Sequence, residues 1–216
     1  MSDAAHIYNL LLKQGIIGAQ GNMTFNFFGQ NIQVTSLDVV GSIIQNWVET
    51  WMIQYQIPYR LAQHSQNWPD FILNDGTELE IKAFNSAAGP NFDIANFDTY
   101  TRSLVTHSER LRTEHLVFGY TLSPTGVVTI TELHLLKVWE MTGPSNTNIL
   151  NLQVKQDVVH NIRPKNWRST GVTIFTSRRD FVYHLHLALQ RFYPTRCPNF
   201  FDLVEADFIR KTGQNL

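Results

Sequence analysis

The stretch WPDFILNDGTELEIKAFN, residues 68–85, contains two short strand patterns joined by a tight turn. Asn74-Asp75-Gly76 is a strong turn signal, because glycine adopts positive φ without steric cost and Asn and Asp tolerate it. In the second strand, a period of two places Glu78, Glu80 and Lys82 on one face and the apolar residues between them on the other. The stretch therefore predicts an antiparallel strand pair with one apolar face and one charged face.

The turn also predicts that acidic and basic side chains from the two strands lie close together. Asp70 stands where the first strand begins, so folding back should bring its carboxylate close to Glu80 and Lys82. Two carboxylates are hard oxygen ligands that hold Mg²⁺, and a neighbouring lysine can orient or deprotonate a water molecule. This trio indicates metal-assisted hydrolysis of a phosphodiester. Two alternatives are that Glu78 binds the metal in place of Glu80, or that the strand is a solvated edge without chemistry.

The rest of the chain predicts a mixed central β-sheet flanked by helices, an α/β (α+β) fold. Strand patterns are HLVFGYTL (115–122) and VVTITELHLLKVWEM (127–141), and a hairpin is expected at Met23–Thr35. Helix patterns cover 4–14, the segment from Ser36 or Asp38 to a stop before Pro58, Phe92–Val105, Asn151–Asn161, Asp180–Phe192 and the region from Asp202.

Composition narrows the class of protein. The 216 residues carry a net charge of −1, and Cys197 as the one cysteine excludes an internal disulfide framework and a multi-cysteine zinc site. We expect a single domain, 1–216, made of an N-terminal helix and hairpin (1–36), a core (37–140), and a basic loop with C-terminal helices (141–216). The opening residues show neither a basic segment nor a long apolar run, so we expect no secretion signal and a cytoplasmic location.

Charge is distributed unevenly along the chain. Acids outnumber bases six to one between residues 64 and 100, where the one Lys or Arg is Lys82, whereas bases dominate between residues 155 and 179. An acidic centre suits a cation and a basic flank suits a polyanion. Charge runs are also typical of solvated faces, so this asymmetry supports a function only if the acidic part forms a metal site.

Asp70…Glu80-x-Lys82 resembles the PD-(D/E)xK nuclease signature, and the helix–strand–strand–helix–strand order resembles the restriction-endonuclease-like core of that family. The sequence is most similar to type II restriction endonucleases of the NgoBV/NlaIV-like group, between Gln33 and Pro164. The stretches that carry the similarity are DVVGSIIQNWVETWM (38–52), PDFIL (69–73), ELEIKAFN (78–85), PNFDIANFDTY (90–100) and QVKQDVVHNIRP (153–164).

The resemblance implies a Mg²⁺-dependent homodimeric endonuclease, with Mn²⁺ as a substitute ion. Such an enzyme cuts double-stranded DNA at a short palindrome, GGNNCC in this group, leaves 5′-phosphate and 3′-hydroxyl ends, and works beside a cognate DNA methyltransferase. Asp70 and Glu80 then hold the metal with the carbonyl of Ile81, Lys82 is the catalytic lysine, and Glu49 is a further metal ligand. Alternatives are a repair or junction-resolving nuclease with the same signature, a non-catalytic DNA-binding module, and for Glu49 a place on the wet face of its helix.

Residues outside the strand pair are predicted to contact DNA. Arg and Lys pair with guanine in the major groove, Asn pairs with adenine, and further basic groups hold phosphates. Asp93 has the alternative of capping the following helix. The predicted DNA-binding residues are Asn91, Asp93, Lys155, Arg163, Lys165, Asn166 and Arg168.

Overall fold

The computed structural model describes residues 2–62 and 68–216. In chain order its helices and strands are α1 (Asp3–Lys13), β1 (Gln20–Asn22), β2 (Thr24–Phe27), β3 (Gln30–Gln33), α2 (Val40–Gln54), β4 (Tyr59–Leu61), β5 (Phe71–Leu73), β6 (Glu78–Asn85), β7 (Ala95–Asn96), α3 (Phe97–Leu104), β8 (Glu114–Leu122), β9 (Val127–Leu136), β10 (Leu152–Lys155), β11 (Val158–Ile162), α4 (Arg178–Phe192) and α5 (Phe200–Thr212). None of the described helices is both long and apolar enough to cross a membrane.

Contacts divide the chain into two units, one of Met1–Asn91 with Glu114–Leu136 and one of Phe92–Thr113 with Lys137–Leu216. The first unit holds a sheet in the order β1-β9-β8-β6-β5-β4. Strands β6 and β8 are parallel and the other neighbours are antiparallel. The predicted mixed sheet with helices is therefore confirmed.

The core of the first unit joins both of its helices to the sheet. Ile7 of α1, Val48 and Met52 of α2, and Leu79 of β6 are fully buried in one apolar cluster. Each such side chain contributes about 1.5–3 kcal/mol relative to an exposed one. Because α2 packs against β6, polar residues on the same helix lie close to the charged strand.

The turn between β5 and β6 forms as the sequence predicts. Leu73 N–H donates to Thr77 O at 2.9 Å, the Asp75 carboxylate accepts from Thr77 N–H at 2.9 Å, and Gly76 has a φ of +82°. This turn fixes the antiparallel register of the two strands, in which Phe71 pairs with Leu79. Continuing that register by one residue places Asp70 opposite Glu80.

The predicted helix at Asn151–Asn161 is wrong, because the segment forms the hairpin of β10 and β11. Gln156 and Asp157 form its turn with φ of +50° and +61°. Asp tolerates this conformation but Gln does not favour it, and neither residue is a glycine, so the sequence gives only a weak turn signal. Val154 pairs with Val159 across the hairpin, and β-branched side chains pack well on such a pleated surface.

The predicted helix Phe92–Val105 begins five residues later, at Phe97. Buried Ile94 lies in an extended segment, and Ala95–Asn96 pairs with β11, so the chain cannot turn helical earlier. Asn96 caps α3 by accepting from Thr99 N–H at 3.0 Å. The alternative of Asp93 as the cap is therefore wrong.

A buried carboxylate stabilises the second unit. Asp207 of α5 accepts from the N–H of Ser108 at 3.0 Å and from its hydroxyl at 2.7 Å. Burial alone would raise the pKa of Asp207, but the Ser108 bonds with Arg210 and Lys211 lower the pKa to about 2. The ionised carboxylate is therefore the form that the fold favours.

Asp207→Ala should lower the free energy of unfolding by about 2–4 kcal/mol, because it leaves two buried Ser108 donors without their acceptor. Asp202→Ala removes an exposed carboxylate from the same helix and should cost under ~1 kcal/mol. Urea denaturation of both variants measures the difference. Equal losses would contradict this role for Asp207.

Candidate active site

Asp70, Glu80 and Lys82 meet at the start of β5. Glu80 Oε1 accepts from Lys82 Nζ at 2.8 Å, and Glu80 Oε2 accepts from the Asp70 backbone N–H at 3.2 Å. Glu80 is 9% exposed, although it lies on the face that also carries Lys82. The three residues that the spacing brought together are thus joined by direct hydrogen bonds.

The Asp70 carboxylate is held from two sides. Its Oδ2 accepts from the backbone N–H of Ile81 at 2.7 Å, and its Oδ1 accepts from Gln45 Nε2 at 2.7 Å. The first bond joins the residue just before β5 to β6. The second bond ties the site to α2, so helix and sheet together fix the carboxylate.

Burial makes both carboxylates harder to ionise. Burial raises the pKa of Glu80 to about 7, with Asp70 raising it further and Lys82 opposing the rise. Burial also raises the pKa of Asp70, against the lowering by the Ile81 N–H and Lys82. Lys82 alone does not offset the two neighbouring negative charges, so an additional cation would be stabilised here.

The donor set fits a divalent ion with oxygen ligands. Two adjacent carboxylates leave coordination positions for water and a phosphate, as Mg²⁺ requires. Within residues 2–62 and 68–216, no group of three or more His, Cys, Asp or Glu side chains is placed to hold a metal. A metal at this site would therefore need further ligands, such as water, a backbone carbonyl or a side chain that moves toward the two carboxylates.

Glu49 lies on α2 one turn after Gln45. Its Oε1 accepts from the Tyr59 hydroxyl at 2.8 Å. Burial, together with this bond and the charge of Glu49, raises the pKa of Tyr59. Glu49 does not form a three-carboxylate cluster with Asp70 and Glu80 among the described residues, and its role as a metal ligand stays a prediction.

Gln45 is the contact that the sequence did not indicate. An amide in a helix is neither titratable nor part of the PD-(D/E)xK signature, and the apolar periodicity of α2 described only the buried face. The available signal was its position four residues before Glu49, which places both side chains on one stripe of the helix.

The predicted DNA-binding residues occupy several environments. Arg163 Nε forms an ion pair with the Asp93 carboxylate at 2.8 Å. Two residues that are predicted to contact DNA are therefore paired with each other. Asn166 Oδ1 accepts from Arg168 Nε at 3.2 Å. The remaining members of the set are exposed Lys155 and Asn91 and half-buried Lys165.

The family model described as NgoBV restriction endonuclease matches residues 1–205. The chain belongs to this family. The predicted enzyme class, a type II restriction endonuclease, is thereby confirmed, and restriction endonucleases in general use divalent metal ions and act on double-stranded DNA.

Two named restriction enzymes and one solved structure are similar to this chain. The type II restriction enzyme NlaIV of Neisseria lactamica is 38% identical over 187 residues, which are 83% of this chain and 77% of the relative. The type II restriction enzyme NgoBV of Neisseria gonorrhoeae is 35% identical over 159 residues, 71% of this chain and 90% of the relative. A solved NlaIV restriction endonuclease structure matches with a TM-score of 0.89 and 34% identity, covering 99% of this chain and 91% of the other.

The raised pKa of Glu80 predicts a pH-dependent stability. Its pKa in the fold, about 7, is above its ordinary value of 4.5, so the folded chain keeps a proton that the unfolded chain has lost between these values. The resulting stabilisation is complete below pH 4.5 and is lost as pH rises through 7.

In the presence of a chelator, Glu80→Gln should therefore melt at a higher temperature than the parent chain at pH 8. This advantage should be several degrees larger at pH 8 than at pH 5. Differential scanning calorimetry at both pH values measures the effect. A constant difference between the two proteins would show that Glu80 titrates normally.

Proposed function

We propose that the chain hydrolyses double-stranded DNA at a short palindrome, GGNNCC, with Mg²⁺ as cofactor and Mn²⁺ as a substitute. The products carry 5′-phosphate and 3′-hydroxyl ends. The observation that supports this most directly is the bonded set of Asp70, Glu80 and Lys82, because it combines two acidic oxygen ligands with one ammonium group.

In this proposal Asp70 and Glu80 hold the ion, with the carbonyl of Ile81 as a third ligand and Glu49 as a further one. When bound, a divalent ion lowers the pKa of a coordinated water and stabilises negative charge on the phosphate. Asp70 is kept in place by Ile81 N–H and Gln45, so its carboxylate needs little reorganisation.

Lys82 is proposed to act on the attacking water. Its Nζ lies 2.8 Å from Glu80 Oε1, so the ammonium group stands beside a proposed metal ligand. From that place Nζ can orient the water, accept its proton after losing one of its own, or offset charge on the phosphate. Partial burial of Lys82 strengthens each of these interactions relative to bulk water.

Recognition of a palindrome is proposed to use two copies of the chain, each cutting one strand. The proposed DNA contacts are Asn91, Asp93, Lys155, Arg163, Lys165, Asn166 and Arg168. A cognate methyltransferase would protect the host genome. The Asp93–Arg163 ion pair holds the guanidinium by Nε, and a guanidinium carries further N–H donors through which it would reach a base or phosphate.

Digestion of a sequenced genome with the purified chain and Mg²⁺ tests this function, with the fragment ends read by sequencing. We expect discrete ends within GGNNCC, and each end should be ligatable without phosphorylation. Ends at another fixed sequence would refute the site but not the activity. Random ends, or cutting confined to branched DNA, would refute site-specific restriction.

Gln45 is proposed to position the Asp70 carboxylate for metal binding. Gln45→Leu keeps the size of the side chain but removes the 2.7 Å bond to Asp70. We expect a 10–100-fold weaker metal affinity or activity, as is usual when a partner of a metal ligand is lost.

Calorimetric titration of Mn²⁺ without DNA provides a readout apart from cleavage. Gln54→Leu, on the exposed end of the same helix, is the matched control and should behave as the parent chain. Unchanged Mn²⁺ affinity and cleavage in Gln45→Leu would remove Gln45 from the site.

A further inference from the structure

The β2–β3 hairpin exposes an unusual amount of apolar surface. Every residue of both strands is exposed, and Phe25, Phe27, Phe28 and Ile32 are 54%, 67%, 94% and 55% accessible. The rings of Phe25 and Phe27 stack at 5.9 Å. Exposed apolar patches of this kind mark interaction sites in soluble proteins.

The hairpin is nevertheless firmly attached at its base. Met23 N–H donates to Gly126 O at 2.9 Å, and Val34 N–H donates to Met23 O at 2.9 Å. A Cβ at Gly126 would meet these two segments at 3.0–3.2 Å, so the β8–β9 turn packs closely against the base. The strands therefore project from an anchored base.

The tip carries a residue that the turn does not favour. Phe28 and Gly29 form the turn with φ of +47° and +77°. Positive φ is uncommon for a bulky side chain, and Asn or Gly would fit better there. A phenylalanine that opposes turn preference and faces solvent indicates a contact that compensates for the strain.

The hairpin and the residues around it carry no charge. From Gln14 to Leu37 the sequence contains no Asp, Glu, Lys, Arg or His. Affinity for a duplex comes chiefly from lysine and arginine contacts to phosphates, so this segment has no cationic side chain for that purpose, although its Asn and Gln amides are able to contact bases. The exposed apolar side chains, which neither contact requires, favour a partner with an uncharged apolar surface.

The same unit contains a complementary pocket. It has a volume of about 280 Å³ and is lined mainly by apolar side chains, among them Ile16, Met23, Ile43, Trp47 and Val128. This space accommodates a phenyl ring, and residues 20–23, which lead into the hairpin, form part of its wall. Protrusion and pocket on one chain allow a reciprocal two-fold contact.

We propose that two copies of the chain pair through their β2–β3 hairpins, with Phe28 of each copy seated in the apolar pocket of the other. At ~200 Å² for a whole phenylalanine side chain, the four exposed side chains offer about 500 Å² per copy. Two copies with their pocket rims then approach the roughly 1,200–2,000 Å² of a stable interface. The inference rests on the proposed function in one respect, since cutting both strands of a palindrome requires two copies.

Sedimentation equilibrium without DNA or metal tests the pairing. The parent chain should be dimeric at micromolar concentration, and Phe28→Asn should weaken the dimer at least 100-fold while the chain stays folded, because Asn suits the positive φ. Ile43→Glu, which places a charge at the pocket, should also produce monomers. Val158→Asn, beside the tip of the β10–β11 hairpin, is the matched control and should stay dimeric.

A parent chain that is monomeric at all concentrations, or a Phe28→Asn dimer of parental strength, would overturn the proposal. A Phe28→Asn dimer that loses affinity for duplex DNA would overturn it in favour of a DNA contact. A hairpin-dependent dimer that does not cut GGNNCC would support the pairing and count against the proposed function alone.

Discussion

Replacement of Lys82 by alanine should reduce DNA cleavage by about 10²–10⁴-fold, the usual range for losing a positioned proton donor or acceptor. Folding should be retained. The loss of Lys82 removes the charge that opposes the raised pKa of Glu80, so Glu80 takes up a proton more readily instead of remaining as an unpaired buried anion. Plasmid cleavage under single-turnover conditions, with circular dichroism spectra of both proteins, measures the two effects.

Lys13→Ala is the control for the loss of one positive charge. Lys13 is exposed in the last turn of α1 and takes no part in the hydrogen bonds of the site. The variant should cut DNA at the parental rate. Lys82→Arg keeps the charge but replaces a compact ammonium by a planar fork and should recover only part of the activity. Parental digestion by Lys82→Ala would remove Lys82 from the mechanism.

Asp70→Asn should reduce metal-dependent cleavage by roughly 10³-fold or more, because the metal's stabilisation of the transition state, worth several kcal/mol, is lost. The melting temperature of the metal-free protein should be unchanged or higher, because the fold disfavours the ionised carboxylate of Asp70. The amide can still accept from Ile81 N–H, and Gln45 can rotate its own amide to present oxygen. Loss of activity is thus expected without loss of stability.

Asp75→Asn, in the adjacent turn, is the matched control and should affect stability rather than activity. The Asp75 carboxylate in the β5–β6 turn accepts from the N–H groups of Asp3 and Thr77, and these bonds lower its pKa although burial opposes them. Asp75→Asn should therefore lower the melting temperature slightly and leave the cleavage rate unchanged. If Asp70→Asn were instead the less stable variant or remained active, the proposed metal role of Asp70 would be refuted.

The central hairpin was predictable because its information is local. Asn74-Asp75-Gly76 determines the turn, the turn determines the register, and the register sets Asp70 beside Glu80. Alternation along β6 then places Lys82 on the same face as Glu80. Three residues of the candidate site follow from a stretch of fewer than twenty residues.

Features that depend on distant contacts were not predictable. Gln45 meets Asp70 only because α2 packs on β6, and its amide has no distinguishing sequence signal. The β10–β11 hairpin turns at Gln156 and Asp157, which adopt positive φ without a glycine, so a helix was predicted there. The ion pair of Asp93 with Arg163 likewise joins residues seventy positions apart.

The most direct test of the proposed metal site is a crystal structure from crystals grown with Mn²⁺, in which anomalous scattering locates the ion. We predict one anomalous peak within coordination distance of a carboxylate oxygen of both Asp70 and Glu80, and its absence in crystals of Asp70→Asn. A peak elsewhere on the chain, with none between these two carboxylates, would contradict the account.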